Sequence, residues 1–338
     1  MVSTNLTLIV DDHDARIVYH CPSTKEIVRG SYFRNTWTTP GSLSCGLEYG
    51  WFSFQFNGTG VRIATLDSQI NDQYSVKIDN GSFVGQRGNG FFESNVLEDG
   101  PHTVIYSSGN LSVYPAFDYI TISAGPSTQL FGESIIVDDG QVANFSGKWN
   151  AEPAAAQQNL LGQSLNVYQN TTRWTNATGD AFSFDFEGTS IGVYGIIPET
   201  NMAPGNSTIA CSVDGVVNSS SLPKGTLSPH PMVQLCQADV PAGRHNFMLN
   251  FTHVVPSHSY GFDFIVYNSS VHTSPPPGAA LQQSPQSHSH SKTHNIGVIV
   301  GSTLGALAAL TLFCVLVLFV YRRRKTPQSK WTASKADS

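Results

Sequence analysis

Apolar and polar residues alternate in short runs along most of the first 268 positions, and the clearest run occurs twice. Phe52-Ser-Phe-Gln-Phe-Asn-Gly-Thr-Gly-Val-Arg-Ile63 and Phe182-Ser-Phe-Asp-Phe-Glu-Gly-Thr-Ser-Ile-Gly-Val193 set a large apolar side chain at every second residue, then break at Gly-Thr. A period of two marks a strand half buried on one face. Four further segments recur in the same order: Ile9-Val-Asp-Asp12 with Ile136-Val-Asp-Asp139, Ser75-Val-Lys-Ile-Asp79 with Ala210-Cys-Ser-Val-Asp214, Gly100-Pro-His-Thr-Val104 with Ala242-Gly-Arg-His-Asn246, and Phe117-Asp-Tyr-Ile120 with Phe262-Asp-Phe-Ile265. The offset between copies grows from 127 to 145 residues, so the pattern is a duplicated domain with loop insertions in its second copy. A copy of roughly 120 to 140 residues is a usual size for a domain with its own core, and Gly, Asn, Asp, Ser and Pro punctuate short strands. The pattern predicts an all-β chain, with one β-sandwich over residues 5–126 and a second over 130–268. The helix-tolerant stretch from Ala151 to Tyr168 carries Pro153 and Gly162, which limits it to a turn or two.

Beyond this the pattern changes character. Residues 269–295 turn to Ser, Pro, His and Gln with few large apolar side chains, too few to offset the entropy of ordering, so they read as a stalk. From Ile296 to Tyr321 the chain carries no charge. At about 1.5 Å per helical residue that run slightly exceeds a hydrocarbon core of roughly 30 Å, and it has no polar face, so it predicts a transmembrane helix. Arg322, Arg323, Arg324 and Lys325 follow at once, which places the short tail, residues 322–338, on the cytoplasmic side. Within the span Gly297, Gly301, Gly305 and Ala309 recur every four residues, a smooth ridge suited to helix dimerisation and hence to a homodimer.

Charge divides at the same boundary. Of 18 Lys and Arg, six follow Tyr321, and of 24 Asp and Glu only Asp337 does, which leaves the outer part at −11. An acidic surface without a Lys/Arg run argues against a nucleic-acid partner. Eleven Asn-X-Ser/Thr sequons begin at Asn5, Asn57, Asn80, Asn110, Asn144, Asn170, Asn176, Asn206, Asn218, Asn250 and Asn268, all before the span, and predict an N-glycosylated ectodomain. Cys21 with Cys45 and Cys211 with Cys236 form two local pairs, 24 and 25 residues apart, that predict two disulfides in an oxidising compartment. Together these features place the chain in the plasma membrane with its ectodomain outside. The start, Met1-Val-Ser-Thr-Asn-Leu-Thr-Leu-Ile-Val10, has neither a basic n-region nor a long apolar h-region, which leaves two expectations: a start downstream of a signal peptide, the favoured one, or translocation directed by the span itself.

Candidate chemistry is sparse. Trp37 and Trp174 lie at comparable places ahead of the two alternating runs, where exposed rings would offer stacking platforms for sugar faces and buried rings would pack the core. Trp51 and Trp149 read as structural. His102 and His245 sit at matching positions beside Gly, where a hairpin turn accounts for them. His288, His290 and His294 lie in the stalk and lack the fixed geometry of a metal site. No nucleophile elbow, HExxH or phosphate loop occurs, so no enzymatic activity is expected.

The twice-repeated signature, from the Ile-Val-Asp-Asp opening to the closing Phe-Asp-x-Ile, resembles the tandem β-sandwich ectodomains of single-pass membrane proteins from mushroom-forming fungi. The resemblance covers about residues 7 to 268 and extends to the stalk and span. It implies galactose-binding-like jelly rolls. In many jelly rolls the first and last strands are adjacent and a Ca²⁺ ion clips them, which would use Asp11, Asp12 and Asp118 in one copy and Asp138, Asp139 and Asp263 in the other. The opening acid in related sugar-binding modules is Glu, so Asp-Asp is a departure, and Asp side chains bonded to turn backbone are the alternative. Apart from such structural calcium no cofactor is expected. The functional expectation is a cell-surface protein whose ectodomain binds or senses cell-wall or extracellular carbohydrate. The alternatives are a coat or adhesion protein making protein contacts and a wall-polysaccharide hydrolase.

Overall fold

A computed structural model describes residues 6–42, 50–66, 72–88, 92–107, 116–153, 167–198, 201, 204–223 and 230–272. These residues form an all-β sandwich fold, with three single 3₁₀ turns as their helical elements. The predicted span 296–321, with its Gly297, Gly301, Gly305 and Ala309 ridge, and the stalk histidines lie outside the described residues. Among the described residues no helix is long and apolar enough to cross a membrane.

In the first copy a five-stranded sheet runs in the order Val18–Tyr19, Phe52–Gly58, Gly100–Ser107, Asp72–Ile78, Val84–Gly88. Its buried face carries Phe52, Phe54, Phe56, Tyr74, Val76, Val104 and Tyr106. These pack against the opening strand Thr7–Asp11, the strand Gly60–Leu66 and the closing strand Ala116–Ser123 of the facing sheet. The second copy repeats the plan with fewer, longer strands. Ala181–Ile197 continues where the first copy has two strands, and shifts register at Gly188/Ser190 as it crosses between layers. The Gly-Thr break in the sequence marks this crossing. A Cβ on Gly58 would lie 2.5 Å from the Ser123 carbonyl oxygen, and one on Gly188 would lie 2.3 Å from that of Asn268, so only glycine admits the closing strand there. The Cys211–Cys236 disulfide is present and joins strands of the two layers. Cys21 is disulfide-bonded, and its expected partner Cys45 lies outside the described residues.

The two copies share one sheet of fifteen strands. The opening strand of the first copy pairs antiparallel with its counterpart Ser134–Asp138, Thr7 opposite Ile136 and Leu8 opposite Ile135. Beside this seam lies a second apolar cluster built from matched residues: Ile9 and Ile136, Phe33 and Tyr168, Ala64 and Tyr194, Tyr119 and Phe264. Phe33 is fully buried, 5.3 Å from Tyr194 and 6.0 Å from Tyr119 between ring centres, and Tyr168 and Tyr194 stand 5.9 and 4.9 Å from Phe264. Corresponding residues thus meet about an approximate twofold axis, and residues 1–280 form one compact unit.

The repeated segments all fall mainly on strands, and further strands lie between them. One of these, Asn150–Pro153, overlaps the start of the stretch read as helix-tolerant and pairs with Thr171–Thr175, Asn150 opposite Trp174. A shared core predicts shared unfolding: denaturant should melt residues 1–280 in one transition, and Phe264→Ala should lower the stability of both copies together by about 3–5 kcal/mol. Two separated transitions, monitored by exchange protection in each copy, would contradict the shared interface.

Candidate functional site

The six aspartates come together as two equivalent clips. In the first copy the Asp12 carboxylate is fully buried and accepts from the Thr36 hydroxyl at 2.7 Å and the Thr38 hydroxyl at 2.5 Å. Asp118 accepts from the Phe33 backbone N–H at 2.9 Å, and its own carbonyl accepts from the Asp12 N–H. In the second copy Thr171 donates to Asp139 at 2.7 Å, Asp138 caps the Gly140 N–H, and Asp263 accepts from the Tyr168 N–H at 3.2 Å. Both clips hold a turn with two successive left-handed residues, Arg34 and Asn35 in one and Gln169 and Asn170 in the other. Each turn delivers one ring, Phe33 or Tyr168, to the twofold interface.

Burial dominates the electrostatics of these carboxyls. It pushes Asp118 and Asp263 well above the usual range, against the single N–H each receives. Asp11 is raised to about 7 by burial and then by the charge of Asp12, and Asp138 to about 6 by burial and then by Asp139. Among the described residues no group of three or more His, Cys, Asp or Glu is arranged to hold a metal ion. Threonine hydroxyls and backbone amides donate to Asp12, Asp118, Asp139 and Asp263, while Asp138 Oδ1 is buried without a hydrogen-bond partner. The backbone of a turn is the donor to Asp118, Asp138 and Asp263, as the alternative of Asp bonded to turn backbone expects.

His102 and His245 sit within strands, where their expected place was a turn. His102 Nδ1 faces Asp79 at 2.8 Å while its Nε2 faces the Glu98 carbonyl at 2.8 Å. His245 repeats this with Asp214 at 2.7 Å and the Pro241 carbonyl at 2.8 Å. Two acceptors on one imidazole favour the doubly protonated ring, and both histidines are raised chiefly by the aspartate hydrogen bond. Groups with raised folded pKa values, these histidines with Asp11 and Asp138, stabilise the fold when protonated, and that contribution falls as pH rises through the folded values. The urea midpoint should therefore be higher at pH 5 than at pH 8, and Asp11→Asn with Asp138→Asn should flatten the change. A midpoint that rises between those values would contradict the assignment.

Both candidate tryptophans are half-buried. Trp37 stacks on Tyr32 at 5.6 Å. Trp174 packs against Val167 and Ile196 and donates its indole N–H to Thr172. Trp51 is fully buried and donates to Ser23, and Trp149 packs on Phe145, Phe182 and Phe251. Asn57, Asn80, Asn144, Asn170, Asn176, Asn206 and Asn218 are exposed, Asn250 and Asn268 are half-buried, and Asn5 and Asn110 lie outside the described residues.

The concave feature that the sequence did not reveal is a cavity of about 440 Å³ in the first copy. Leu8, Phe54, Phe56 and Ile122 form its apolar floor, and Arg16, Gln55, His102, Gln129 and Glu133 line its rim. Arg16 is fixed there: it donates to Asp14 at 2.9 and 3.0 Å and to Glu133 at 2.8 Å, with its guanidinium 5.9 Å from the centre of the Phe54 ring. The charges on the rim are thus paired within the protein. In the second copy a tyrosine stands at the equivalent place. Ile122 lies between Leu8 and Val61, and its counterpart Tyr267 lies between Ile135 and Ile191. The Tyr267 ring stands 6.0 Å from Phe184 and 5.8 Å from Phe186, the counterparts of Phe54 and Phe56. Ile122 with Tyr267 is thus the bulkiest apolar difference between the copies at this place, beside Gln55 with Asp185 and Asn57 with Glu187.

No family model and no curated protein matches the chain. Among solved structures, it is similar to a Paenibacillus xanthan lyase with TM-score 0.29 and 12% identity, over 79% of this chain and 27% of the lyase. It is also similar to a family 35 carbohydrate-binding module from Clostridium thermocellum, with TM-score 0.28 and 16% identity over 34% of this chain and 98% of the module. A carbohydrate-binding module solved with calcium and xylotriose gives TM-score 0.26 and 18% identity, over 38% and 96%. Such TM-scores place the chain in none of these families.

Adding calcium to millimolar excess should move the melting temperature by less than about 1 °C, because the chain's own hydroxyls and amides already donate to most of the clip carboxylates. A saturable rise of several degrees, lost in Asp12→Asn or Asp139→Asn, would show instead that the clips take up the ion.

Proposed function

We propose that this chain is a non-catalytic, single-pass cell-surface glycoprotein that binds neutral wall or extracellular saccharide in the cavity of its first copy. The observation that carries the reading is the cavity's division into an apolar floor and a polar rim whose charges are already paired. A sugar ring has the same division, with CH groups that pack on aromatic and aliphatic surface and hydroxyls that bond to amide, guanidinium and carboxylate groups. Paired charges disfavour an ionic ligand and suit a neutral one. The volume falls in the range of small-ligand pockets, roughly 300 to 1,000 Å³. The buried carboxyls of the clips face the chain's own hydroxyls and amides, so they lend nothing to a hydrolase. The surface location rests on the uncharged run 296–321, the Arg322–Lys325 stop and the exposed sequons. In this reading residues 269–295 hold the sandwiches off a fungal plasma membrane, with the tail inside. A paired helix through Gly297, Gly301, Gly305 and Ala309 would bring two ectodomains together.

The second copy supplies the variant for a test. Ile122→Tyr introduces the residue that Tyr267 already represents on the same fold, so it fills the cavity with little strain. Against immobilised β-glucan and chitin oligosaccharides the full chain should bind saturably, and Ile122→Tyr should lose about tenfold or more in affinity with an unchanged melting temperature. Binding that survives Ile122→Tyr but fails in a Trp37→Ala, Trp174→Ala double variant would move the site to the tryptophan faces. Absence of binding by folded protein would favour the coat or adhesion reading, which the exposed sequons on both copies also suit.

A further inference from the structure

Among the described residues the fused sheet ends on one side at the hairpin strand Val216–Ser221, Val-Val-Asn-Ser-Ser-Ser, which pairs on its inner side with Thr208–Val213 and has no described strand beyond it. All six residues are exposed, Val216 at 79% and Val217 at 61%. An open edge offers unpaired N–H and C=O groups to any other strand, and proteins usually blunt it with charge, proline or brevity. The other edges of this protein are treated in those ways. Ser23–Ile27 carries Lys25 and Glu26, Val84–Gly88 carries Arg87, and Asn150–Pro153 carries Glu152 and Pro153. Val18–Tyr19 and Phe92–Glu93 have two residues each, and Asn144–Ser146 has three. Val216–Ser221 has six residues, no charge and no proline, yet it carries a sequon, Asn218-Ser219-Ser220, at its third position.

We propose that an N-linked glycan on Asn218 is the guard of this edge, and that without it the occupant is the same strand of a second copy of this chain. Asn218 lies opposite Cys211 in the hairpin and is itself exposed, so a glycan there projects beside the outermost strand. A strand added to the edge would have to pass that glycan. A second copy is the fitting partner, because an uncharged Val-Val-Asn-Ser-Ser-Ser strand meets its own antiparallel image without like-charge repulsion or a buried charge. The proposal rests on exposure of the ectodomain to the glycosylation machinery, and is independent of any saccharide ligand.

The test uses the full chain from a secretory host, held in detergent micelles, with sequon occupancy mapped by mass spectrometry and particle mass by mass photometry. Ser220→Ala removes the sequon and keeps Asn218. The expected result is occupied Asn218 in the wild type and a several-fold larger dimer fraction in Ser220→Ala. Val217→Lys in that background should return the fraction to the wild-type level by putting a charge on the edge. All three chains carry Gly301→Leu and Gly305→Leu, which breaks the small-residue ridge of the span and keeps helix pairing out of the dimer fraction. Equal dimer fractions in wild type and Ser220→Ala would overturn the proposal, as would an unoccupied Asn218 on a chain whose Asn80 and Asn176 carry glycans. A dimer that persists with Val217→Lys would assign the association to another surface. If no sequon is occupied, the proposal fails together with the surface location.

Discussion

The contact on which the rest of this structure depends is the approach of the two opening strands, Thr7 to Ile136 and Leu8 to Ile135, with the aromatic cluster beside them. Aromatic neighbours at this spacing contribute about 0.5–1.5 kcal/mol per pair beyond their burial. The cluster could not form if Phe33 and Tyr168 were carried by loose turns. They are held because Asp118 and Asp263, buried in the closing strands, each accept the backbone N–H of the ring-bearing residue. The chain therefore spends its costliest groups, buried carboxyls, on positioning the hydrophobic contact between its halves. Neutral, protonated carboxyls are less costly there than charged ones, in keeping with the upward displacement of both.

A duplicated fold contains its own control, and the differences between copies are where function is to be sought. The clips, the imidazole bridges, the glycine crossings and the interface residues occur in both copies, which marks them as parts of the scaffold. The cavity described above lies in the first copy beside Ile122, where the second copy carries Tyr267 with its ring against Phe184 and Phe186. Arg16 and Glu133 add a second difference, since their ion pair ties the first copy to the connection between the halves and forms one wall of the cavity. Fixing both ends of the guanidinium before a ligand arrives lowers the entropy lost on binding.

The all-β class, the repeat and the crossing glycines were legible because each leaves a local mark: a period of two, a fixed order of short segments, a Gly-Thr break. The aspartates could be singled out as a convergent set, since Asp12, Asp118 and their counterparts recur on first and last strands. Their role could not be read, because it depends on donors from Phe33, Thr36 and Thr38, some twenty to eighty residues away in sequence. The cavity left no sequence mark, being the space between four apolar side chains from three strands. Its one trace was the Ile122 and Tyr267 difference within aligned closing strands. Trp37 and Trp174 drew attention through residue type and matching position, and the sequence could not show that Tyr32, Val167 and Ile196 cover part of their rings. Asn150–Pro153 was missed because its strand character comes from pairing with Thr171–Thr175 and overrides weak local preference.

The central claim is that two nearly equivalent halves form one rigid scaffold for a single saccharide site. It is tested most directly by the stoichiometry of binding, measured by titration calorimetry of the full chain with neutral β-glucan or chitin oligosaccharides. One equivalent per chain is the predicted result. Two equivalents, or none, would contradict it.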